Sequence, residues 1–417
     1  MSTGVQSVEV RTTQLELGMY VSGLDRPWLE TPFPIQGFLI RSYRDIELLR
    51  QLCEYVVIDT ALGKAPATRA PVHHPTPRIT VTTQAQRQKL VPHGISVRTY
   101  PVTRSLEDEL PIARIAYKQL SRDIETLLAQ LRSTPDLDLK RWRRSVGPMV
   151  SSVIRNPDAC ALLTRLKSQG SYAFKHALSV SVWCTLLGRQ LGLPRPLLED
   201  LALGGILLDV GHLDLPEGLI NHDRRLTDAE FRQMQNHVEH GLERLEAMGN
   251  RSQVIRDMVA AHHERHAGHG YPNRLKGKLI PFYGRIAAIA DCYDAMTSER
   301  PYAAPISPSE AVSKLYEWRN VEFQAELIEE FIQAIGLYPA GTLVELTDGR
   351  VGIVIKAHVT RRLRPRILLL RDADKQPVSP EELDLLTLEQ TLGEEAPGIR
   401  RALQPGAYGI DMEALEL

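Results

Sequence analysis

The sequence has almost no excess of charge and few cysteines. Its 417 residues include 50 basic and 51 acidic side chains, for a formal net charge of −1. Proteins that bind polymeric nucleic acid normally carry a basic excess, so this balance argues against a polymeric nucleic-acid partner. The four cysteines form no Cys-x-x-Cys pair, which predicts a reduced intracellular chain and argues against a disulfide framework or a cysteine zinc site.

Long hydrophobic runs and several common catalytic motifs are also missing. No run of 18 uncharged apolar residues exists, and the N-terminus lacks an apolar signal core, so we expect a cytoplasmic protein that makes no membrane contact. The sequence contains no GxxxxGK[ST], GxSxG or HExxH motif. These absences argue against a P-loop nucleotide site, a serine-hydrolase elbow and a zinc-protease helix.

The hydrophobic patterns predict a mainly α fold with small β-containing units at both ends. Period-two runs occur near the N-terminus and again around Asp348-Gly349, a pair typical of a β-hairpin, whereas the stretch between them follows helical spacing. The predicted segments are a small α+β module (1–62), a proline-rich mobile linker (63–104), a connecting helix (105–136), a helical domain (137–337), a β-hairpin extension (338–377) and an acidic tail (378–417).

The connecting helix has an apolar stripe. Ser105 is placed to cap it, and Leu110, Ile115, Leu120 and Ile124 recur at helical spacing, continued by Leu127 and Leu131. Such a stripe is typical of a protein core or of a dimer seam, and it is equally compatible with a helix that transmits a signal. A homodimer through this helix is therefore one of three interpretations.

Histidines are concentrated in the helical domain. Nine of the 13 lie between His176 and His269, together with two aspartates inside apolar helical segments. Burying an unpaired carboxylate is costly, and binding a divalent metal alongside imidazoles compensates for that cost. The candidate ligands are His176, Asp209, His237, His262, His263 and Asp291.

Each candidate also has an ordinary structural explanation. His176 alone is compatible with a hydrogen-bonded core histidine, and Asp209 alone with a helix cap. The two adjacent histidines, His262 and His263, point about 100° apart on a helix and can serve one metal or two neighbouring ones. It is the combination along consecutive helices that favours a metal centre.

Three longer motifs resemble one known family. The segment HHERHAGHGYPNRLKGKLIP, residues 262–281, is similar to the HHExxDGxGYPxGLxGxxIP pattern of the HD-GYP family, a subgroup of the HD-domain metallohydrolases. RIAAIADCYDAMTSERPY and LTDAEFRQMQNHVEHG resemble two further motifs of that family. The resemblance spans about residues 140–377, and residues 8–60 resemble an uncharacterised module that often precedes such domains.

The resemblance implies a specific function. It implies an all-helical HD-type domain with two or three metals, often iron or manganese, that hydrolyses the bacterial signalling molecule cyclic di-GMP to linear pGpG or to GMP. It places the six candidate ligands on the family's ligand positions. It also implies substrate contacts from the Gly-Tyr-Pro loop (Gly270, Tyr271, Pro272) and from Arg300.

The chain departs from the family pattern at three positions. The family's His-Asp-x-Gly-Lys becomes Leu208-Asp209-Val210-Gly211-His212, and the aspartate before Gly-x-Gly-Tyr-Pro becomes Ala267. One metal site thereby loses an imidazole, while the site made by Asp209, His237, His262 and His263 keeps every ligand. His212 is four residues after Leu208, so we hypothesise that, if the helix continues, it acts in catalysis with Asp209 as a substitute ligand or phosphate donor. The alternative is a histidine near solvent with no such role.

Three functions are compatible with these residues. The first is a metal-dependent cyclic di-GMP phosphodiesterase, slowed by the missing histidine, which the retained motifs favour. The second is a catalytically silent receptor that binds cyclic di-GMP or a diguanylate-cyclase domain, which Leu208 and Ala267 favour. The third is an HD-type hydrolase of another phosphate ester, which the Gly-Tyr-Pro loop disfavours.

Overall fold

Two units make up the chain, Met1–Arg78 and Ile79–Leu417. The computed structural model describes residues 7–24, 38–53, 55–60, 63–64, 83–133, 139–166, 171–220, 226–299, 304–358 and 363–412. Each unit has its own apolar core.

The first unit is a small α+β module, as predicted. Its elements are β1 (Ser7–Arg11), β2 (Tyr20–Leu24), β3 (Phe38–Leu39), α1 (Tyr43–Leu52) and β4 (Tyr55–Asp59). The strands pair antiparallel in the order β1-β4-β2-β3. A capping box starts α1, because Ser42 and Asp45 each accept a backbone N–H of the other, and Ile46 and Leu49 of this helix are buried against the sheet residues.

The second unit is mainly helical, which confirms the predicted fold class. Its helices are α2 (Gln84–Leu90), α3 (Leu106–Ser133), α4 (Leu139–Arg155), α5 (Pro157–Leu166), α6 (Tyr172–Gln190), α7 (Arg195–Leu207), α8 (Glu217–Ile220), α9 (Asp228–Gln235), α10 (His237–Ala247), α11 (Gln253–Ala261), α12 (Phe282–Thr297), α13 (Pro308–Glu317) and α14 (Ala325–Ile335). Apolar side chains from most of these helices form one continuous core. In the part of the chain that the structure describes, none of the helices is long and apolar enough to cross a membrane.

Part of the segment predicted as a linker is structured. Residues 83–104 contain α2, and Val91 and Val97 are buried in the core of the second unit. The Arg98 N–H also donates to the Gly192 carbonyl at 2.8 Å. The prolines interrupt any helical period here, but they do not prevent single valines from being buried; residues 65–82 lie outside the described residues.

The apolar stripe of α3 belongs mainly to the core. Leu120, Ile124 and Leu127 are fully buried within their own unit, and Ser105 caps the helix by accepting the Asp108 N–H at 3.1 Å. Ile115 departs from the prediction, because 73% of its surface is exposed. Packing inside the chain therefore uses most of the stripe that also suggested a dimer seam.

The C-terminal sheet is larger than the predicted hairpin. The Asp348-Gly349 turn joins β5 (Leu343–Leu346) to β6 (Val351–Lys356) as expected. β7 (Arg366–Arg371) confirms the third strand that the run RPRILLLRDAD predicts within the extension. β8 (Pro377–Asp384) and β9 (Ile399–Ala402) complete the antiparallel order β8-β7-β6-β5-β9, and α15 (Leu385–Leu392) lies between β8 and β9 in the chain. The segment predicted as a tail therefore supplies most of β8 and all of β9. The sequence did not indicate the pairing of β9, because partners such as Val344 and Ala402 are far apart in the chain and meet only when it folds.

Candidate metal centre

The six candidate ligands lie on, or just after, five helices of the second unit. His176 is near the start of α6, Asp209 follows α7, and His237 opens α10. The other three are His262 and His263 directly after α11 and Asp291 within α12. The folded chain thus brings together residues that are more than a hundred positions apart in sequence.

A close backbone approach positions Asp209. After α7, residues Val210–Asp214 form a 3-10 turn, and Gly211 packs directly on the start of α10. A Cβ atom at Gly211 would lie 1.9 Å from the His237 carbonyl oxygen, which no side chain can occupy. A glycine is therefore required at this point for Asp209 to reach His237.

Four side chains form a compact group that we call the four-residue cluster: Asp209, His237, His262 and His263. One ligand atom from each lies within 4.8 Å of all the others. Asp209 Oδ1 is 3.7 Å from His237 Nε2 and 3.6 Å from His262 Nε2, and the two Nε2 atoms are 3.3 Å apart. With metal–ligand bonds of about 2.1 Å, neighbouring ligands lie at about such separations.

Backbone carbonyls set the tautomers of two cluster histidines. His237 Nδ1 donates to the Met234 carbonyl at 2.7 Å, and His262 Nδ1 donates to the Val259 carbonyl at 3.0 Å. In a neutral imidazole the other nitrogen, Nε2, then carries a lone pair. In both residues that lone pair faces the centre of the cluster, as metal coordination requires.

The electrostatics of the cluster favour metal binding over protonation. Burial and the charges of His212 and His262 lower the pKa of His237 to about 4, although Asp209 opposes this shift. Burial, His262 and His237 likewise hold the pKa of His263 well below its ordinary value. Burial would raise the pKa of Asp209, but the surrounding imidazoles lower it well below its ordinary value. At neutral pH His237 and His263 are therefore neutral imidazoles, and Asp209 is a charged carboxylate.

His176 and Asp291 form a second arrangement beside the cluster, the His176 side. His176 Nε2 lies 3.1 Å from Asp291 Oδ1 and 3.5 Å from Asp209 Oδ2. Asp209 thus directs one oxygen toward each arrangement. Burial would lower the pKa of His176, but hydrogen bonds to Asp291 and Asp294 raise it well above its ordinary value.

Two of the three departures from the family pattern, Leu208 and His212, lie in different surroundings. Leu208 is buried in the apolar core, with 1% of its surface exposed. α7 ends at Leu207, so His212 does not follow Leu208 on a continuous helix. His212 is nevertheless close to the cluster, with Nδ1 3.8 Å from Asp209 Oδ1 and its ring 4.3 Å from that of His237.

The Gly-Tyr-Pro loop packs against the cluster. Tyr271 stacks on His263 with ring centroids 4.5 Å apart. Gly270 crosses the chain so closely that a Cβ atom there would lie 2.4 Å from the His263 carbonyl oxygen. The buried carboxylate of Glu264 accepts the backbone N–H groups of Asn273 and Leu275 at 2.8 and 2.9 Å, which anchors the far side of the loop.

A cavity of about 350 Å³ opens beside the loop. Gly270, Tyr271 and Pro272 line it, as does His263, which belongs to the cluster. The remaining walls include Phe231, Arg265, Arg274, His269 and Glu322. Of the predicted substrate contacts, the three loop residues therefore face one cavity, and Arg300 lies outside the described residues.

Sequence reasoning missed several of these residues. Phe231, Arg265 and Arg274 lie inside the quoted motif segments, but sequence reasoning did not single them out as residues of the cavity wall. Glu264 and Asp294 are buried carboxylates beside candidate ligands. Asp294 follows Asp291 by three positions, a spacing that places both on one helical face, and this spacing was an available signal.

Models of known protein families match three parts of the chain. A model described as "HD domain" matches residues 159–327, and one described as "KOW domain associated with HD domain" matches residues 343–392. A "Domain of unknown function (DUF3391)" matches residues 7–142, which covers the N-terminal module and extends into α4. The helical unit thus belongs to the HD-domain class, whose matched range contains all six candidate ligands.

Relatives with curated names narrow this class. Cyclic di-GMP phosphodiesterase PA4108 of Pseudomonas aeruginosa is 32% identical over 385 residues, covering 92% of this chain and 90% of that protein. 3'3'-cGAMP-specific phosphodiesterase 2 of Vibrio cholerae is 34% identical over 38% of this chain and 30% of its own length. Cyclic di-GMP phosphodiesterase response regulator RpfG of Xanthomonas campestris is 32% identical over 36% of this chain and 39% of its own length. The chain belongs to the HD-GYP family of HD-domain phosphodiesterases.

Proposed function

We propose that this protein is a metal-dependent phosphodiesterase that hydrolyses cyclic di-GMP to linear pGpG, to GMP or to both. The observation that carries the proposal is the four-residue cluster, which retains every ligand and adjoins the cavity of the Gly-Tyr-Pro loop. The name of the relative that covers 92% of the chain supports the choice of substrate.

The chemistry of the donors fits divalent iron or manganese. The cluster offers three imidazoles and a carboxylate, and the His176 side offers one imidazole and one carboxylate in addition to Asp209. Mixed imidazole and carboxylate ligands suit both metals. Asp209 would contact both ions, since its two oxygens face different sides. When bound, such ions supply Lewis-acid activation of a water nucleophile and of the phosphodiester.

Residues of the cavity fit the parts of a cyclic dinucleotide. Phe231 and Tyr271 lie edge to face with centroids 6.0 Å apart, and 46% of the Phe231 surface is exposed to a stacking base. Arg274 is exposed at the same cavity, where its guanidinium can donate to phosphate oxygens. His212 stands beside Asp209 with 30% of its side chain exposed, so we assign it a hydrogen bond to the reacting phosphate.

A second candidate function is a receptor without catalysis. Leu208 favours it, because the His176 side then has a single imidazole. Such a receptor would hold cyclic di-GMP in the cavity and signal to a partner such as a diguanylate-cyclase domain. Metal binding and dinucleotide binding would both persist, and only turnover would be missing.

The test is purification without oxygen in the presence of Mn²⁺ or Fe²⁺, metal counting, and chromatography of the products from cyclic di-GMP. 3'3'-cGAMP is assayed in parallel, since some relatives are named for that dinucleotide. Release of pGpG or GMP that is lost in Asp209→Asn supports the phosphodiesterase. Tight binding of cyclic di-GMP without any product supports the receptor, and hydrolysis of 3'3'-cGAMP alone would reassign the substrate.

A further inference from the structure

A buried carboxylate outside the six candidate ligands contacts one of them directly. Asp294 has 1% of its surface exposed, and its Oδ2 lies 2.8 Å from His176 Nδ1. It also accepts the Trp183 indole N–H at 3.3 Å and the Ser298 hydroxyl at 3.3 Å. Both carboxylate oxygens of Asp294 therefore have partners inside the protein.

Asp294 and Asp291 contact opposite nitrogens of the same imidazole. Nε2 of His176 faces Asp291 Oδ1 at 3.1 Å and Asp209 Oδ2 at 3.5 Å, whereas Nδ1 faces only Asp294 among the contacts that the structure describes for it. The three-residue spacing on α12 makes this arrangement feasible, since residues i and i+3 share a helical face. Tyr172 stacks on the ring of His176 at a centroid distance of 5.5 Å.

This contact determines which nitrogen of His176 is available to a metal. A carboxylate oxygen beside Nδ1 requires a proton on that nitrogen, and a neutral imidazole then presents its lone pair at Nε2. In metal sites such a partner orients the ring and raises the basicity of the ligand. In the four-residue cluster, backbone carbonyls do the same for His237 and His262.

We infer that Asp294 is a positioning residue that holds His176 in the orientation and tautomer needed for a metal ion on the His176 side. The inference rests on the proposed function in so far as His176 binds a divalent ion. With Leu208 in place of the family's histidine, His176 is the single imidazole on that side. The ion there consequently depends on one ligand ring, and that ring depends on Asp294.

The test measures metal affinity rather than activity. We expect Asp294→Ala to lower the affinity for one Mn²⁺ ion about 10- to 100-fold, which is the effect typical of removing the partner of a ligand histidine. The cluster ion should be retained. Asp294→Asn keeps an oxygen that can accept from Nδ1 and should fall between wild type and Asp294→Ala. In the zinc-loaded full chain, ¹⁵N shifts of labelled histidine should report a proton on Nδ1 of His176 in wild type. In Asp294→Ala, the same shifts should show that the ring proton no longer prefers Nδ1 over Nε2.

Two matched controls separate positioning from packing. Trp183→Phe and Ser298→Ala each remove one donor to Asp294 but keep the acceptor for His176 Nδ1, so both should bind metal within about twofold of wild type. The retained cluster ion shows that each variant is folded. Wild-type affinity for every bound ion in both Asp294 variants would overturn the inference, as would an equal loss in Trp183→Phe. If the metal pattern is as expected but cyclic di-GMP is not hydrolysed, the proposed function fails and the role of Asp294 stands.

Discussion

The four-residue cluster and the His176 side share Asp209 but are built differently. The cluster histidines His237 and His262 are oriented by carbonyls three positions earlier in the chain, so their tautomers follow from local helix geometry. His176 is oriented by Asp294, which is 118 positions away. The resemblance to the family pattern assigns the histidine that Leu208 replaces to the second arrangement. In this chain, the His176 side depends on a contact between distant residues and lacks the family's histidine, whereas the locally organised cluster keeps all of its ligands.

Asp209→Asn should have the largest effect, because it weakens both sides at once. Loss of the shared charged ligand is expected to reduce metal affinity by at least about 100-fold and to abolish hydrolysis. Metal counting after dialysis and product chromatography measure the two effects. Asp228→Asn, on the exposed side of α9, is the control. A variant that kept both ions would show that Asp209 does not link the two sides.

Leu208→His should supply the imidazole that the His176 side lacks, and should therefore reduce the difference in metal ligands between that side and the four-residue cluster. Placing an imidazole in this buried position without metal should cost about 1–3 kcal/mol of unfolding free energy, because a polar group enters an apolar core. Added Mn²⁺ should restore that stability, and turnover should rise. Denaturant unfolding with and without metal measures the change.

Leu207→His is the matched control for this substitution. Leu207 is equally buried and ends α7, so it should be destabilised to a similar extent but without rescue by metal. Equal rescue of both variants would contradict the assignment of position 208 to the His176 side.

Lowering the pH should release metal from the His176 side first. Because the pKa of His176 is raised in the metal-free protein, its ring holds a second proton near neutral pH, and a metal must displace that proton. The apparent affinity on this side should therefore fall as pH falls, by up to about tenfold per unit. His237, with a pKa lowered to about 4, stays a neutral imidazole over the same range, so the cluster ion should persist. Metal counts between pH 8 and 5 test the order, and simultaneous loss of all metal would contradict it.

His212→Ala should have the smallest effect. Loss of one hydrogen bond to phosphate should lower turnover about tenfold while the bound metal is retained. A loss of metal instead would indicate that His212 is a ligand. His93→Ala, an exposed histidine distant in sequence, is the control, and unchanged turnover and metal content in His212→Ala would remove His212 from the site.

Much of the candidate site could be predicted because its signals are local. His262, His263 and the Gly-Tyr-Pro loop occur in one continuous motif, and the structure brings that motif together around Tyr271 stacked on His263. The helical fold class likewise followed from periodicity. β8 was not predicted because its sequence is polar and contains Pro377 and Pro380, and β9 was not predicted because it is short and pairs with β5, which is distant in the chain.

The sequence by itself determined the chemistry that is present: which ligand types exist, in which motifs, and that an imidazole is missing at Leu208. Only the tertiary structure decided how those ligands are grouped. It assigned one oxygen of Asp209 to each side, placed Asp294 behind His176, buried most of the α3 stripe and ended α7 before His212. The physical reason is that side-chain type and local spacing are properties of the sequence itself, whereas contacts between helices depend on packing between segments that are distant in sequence.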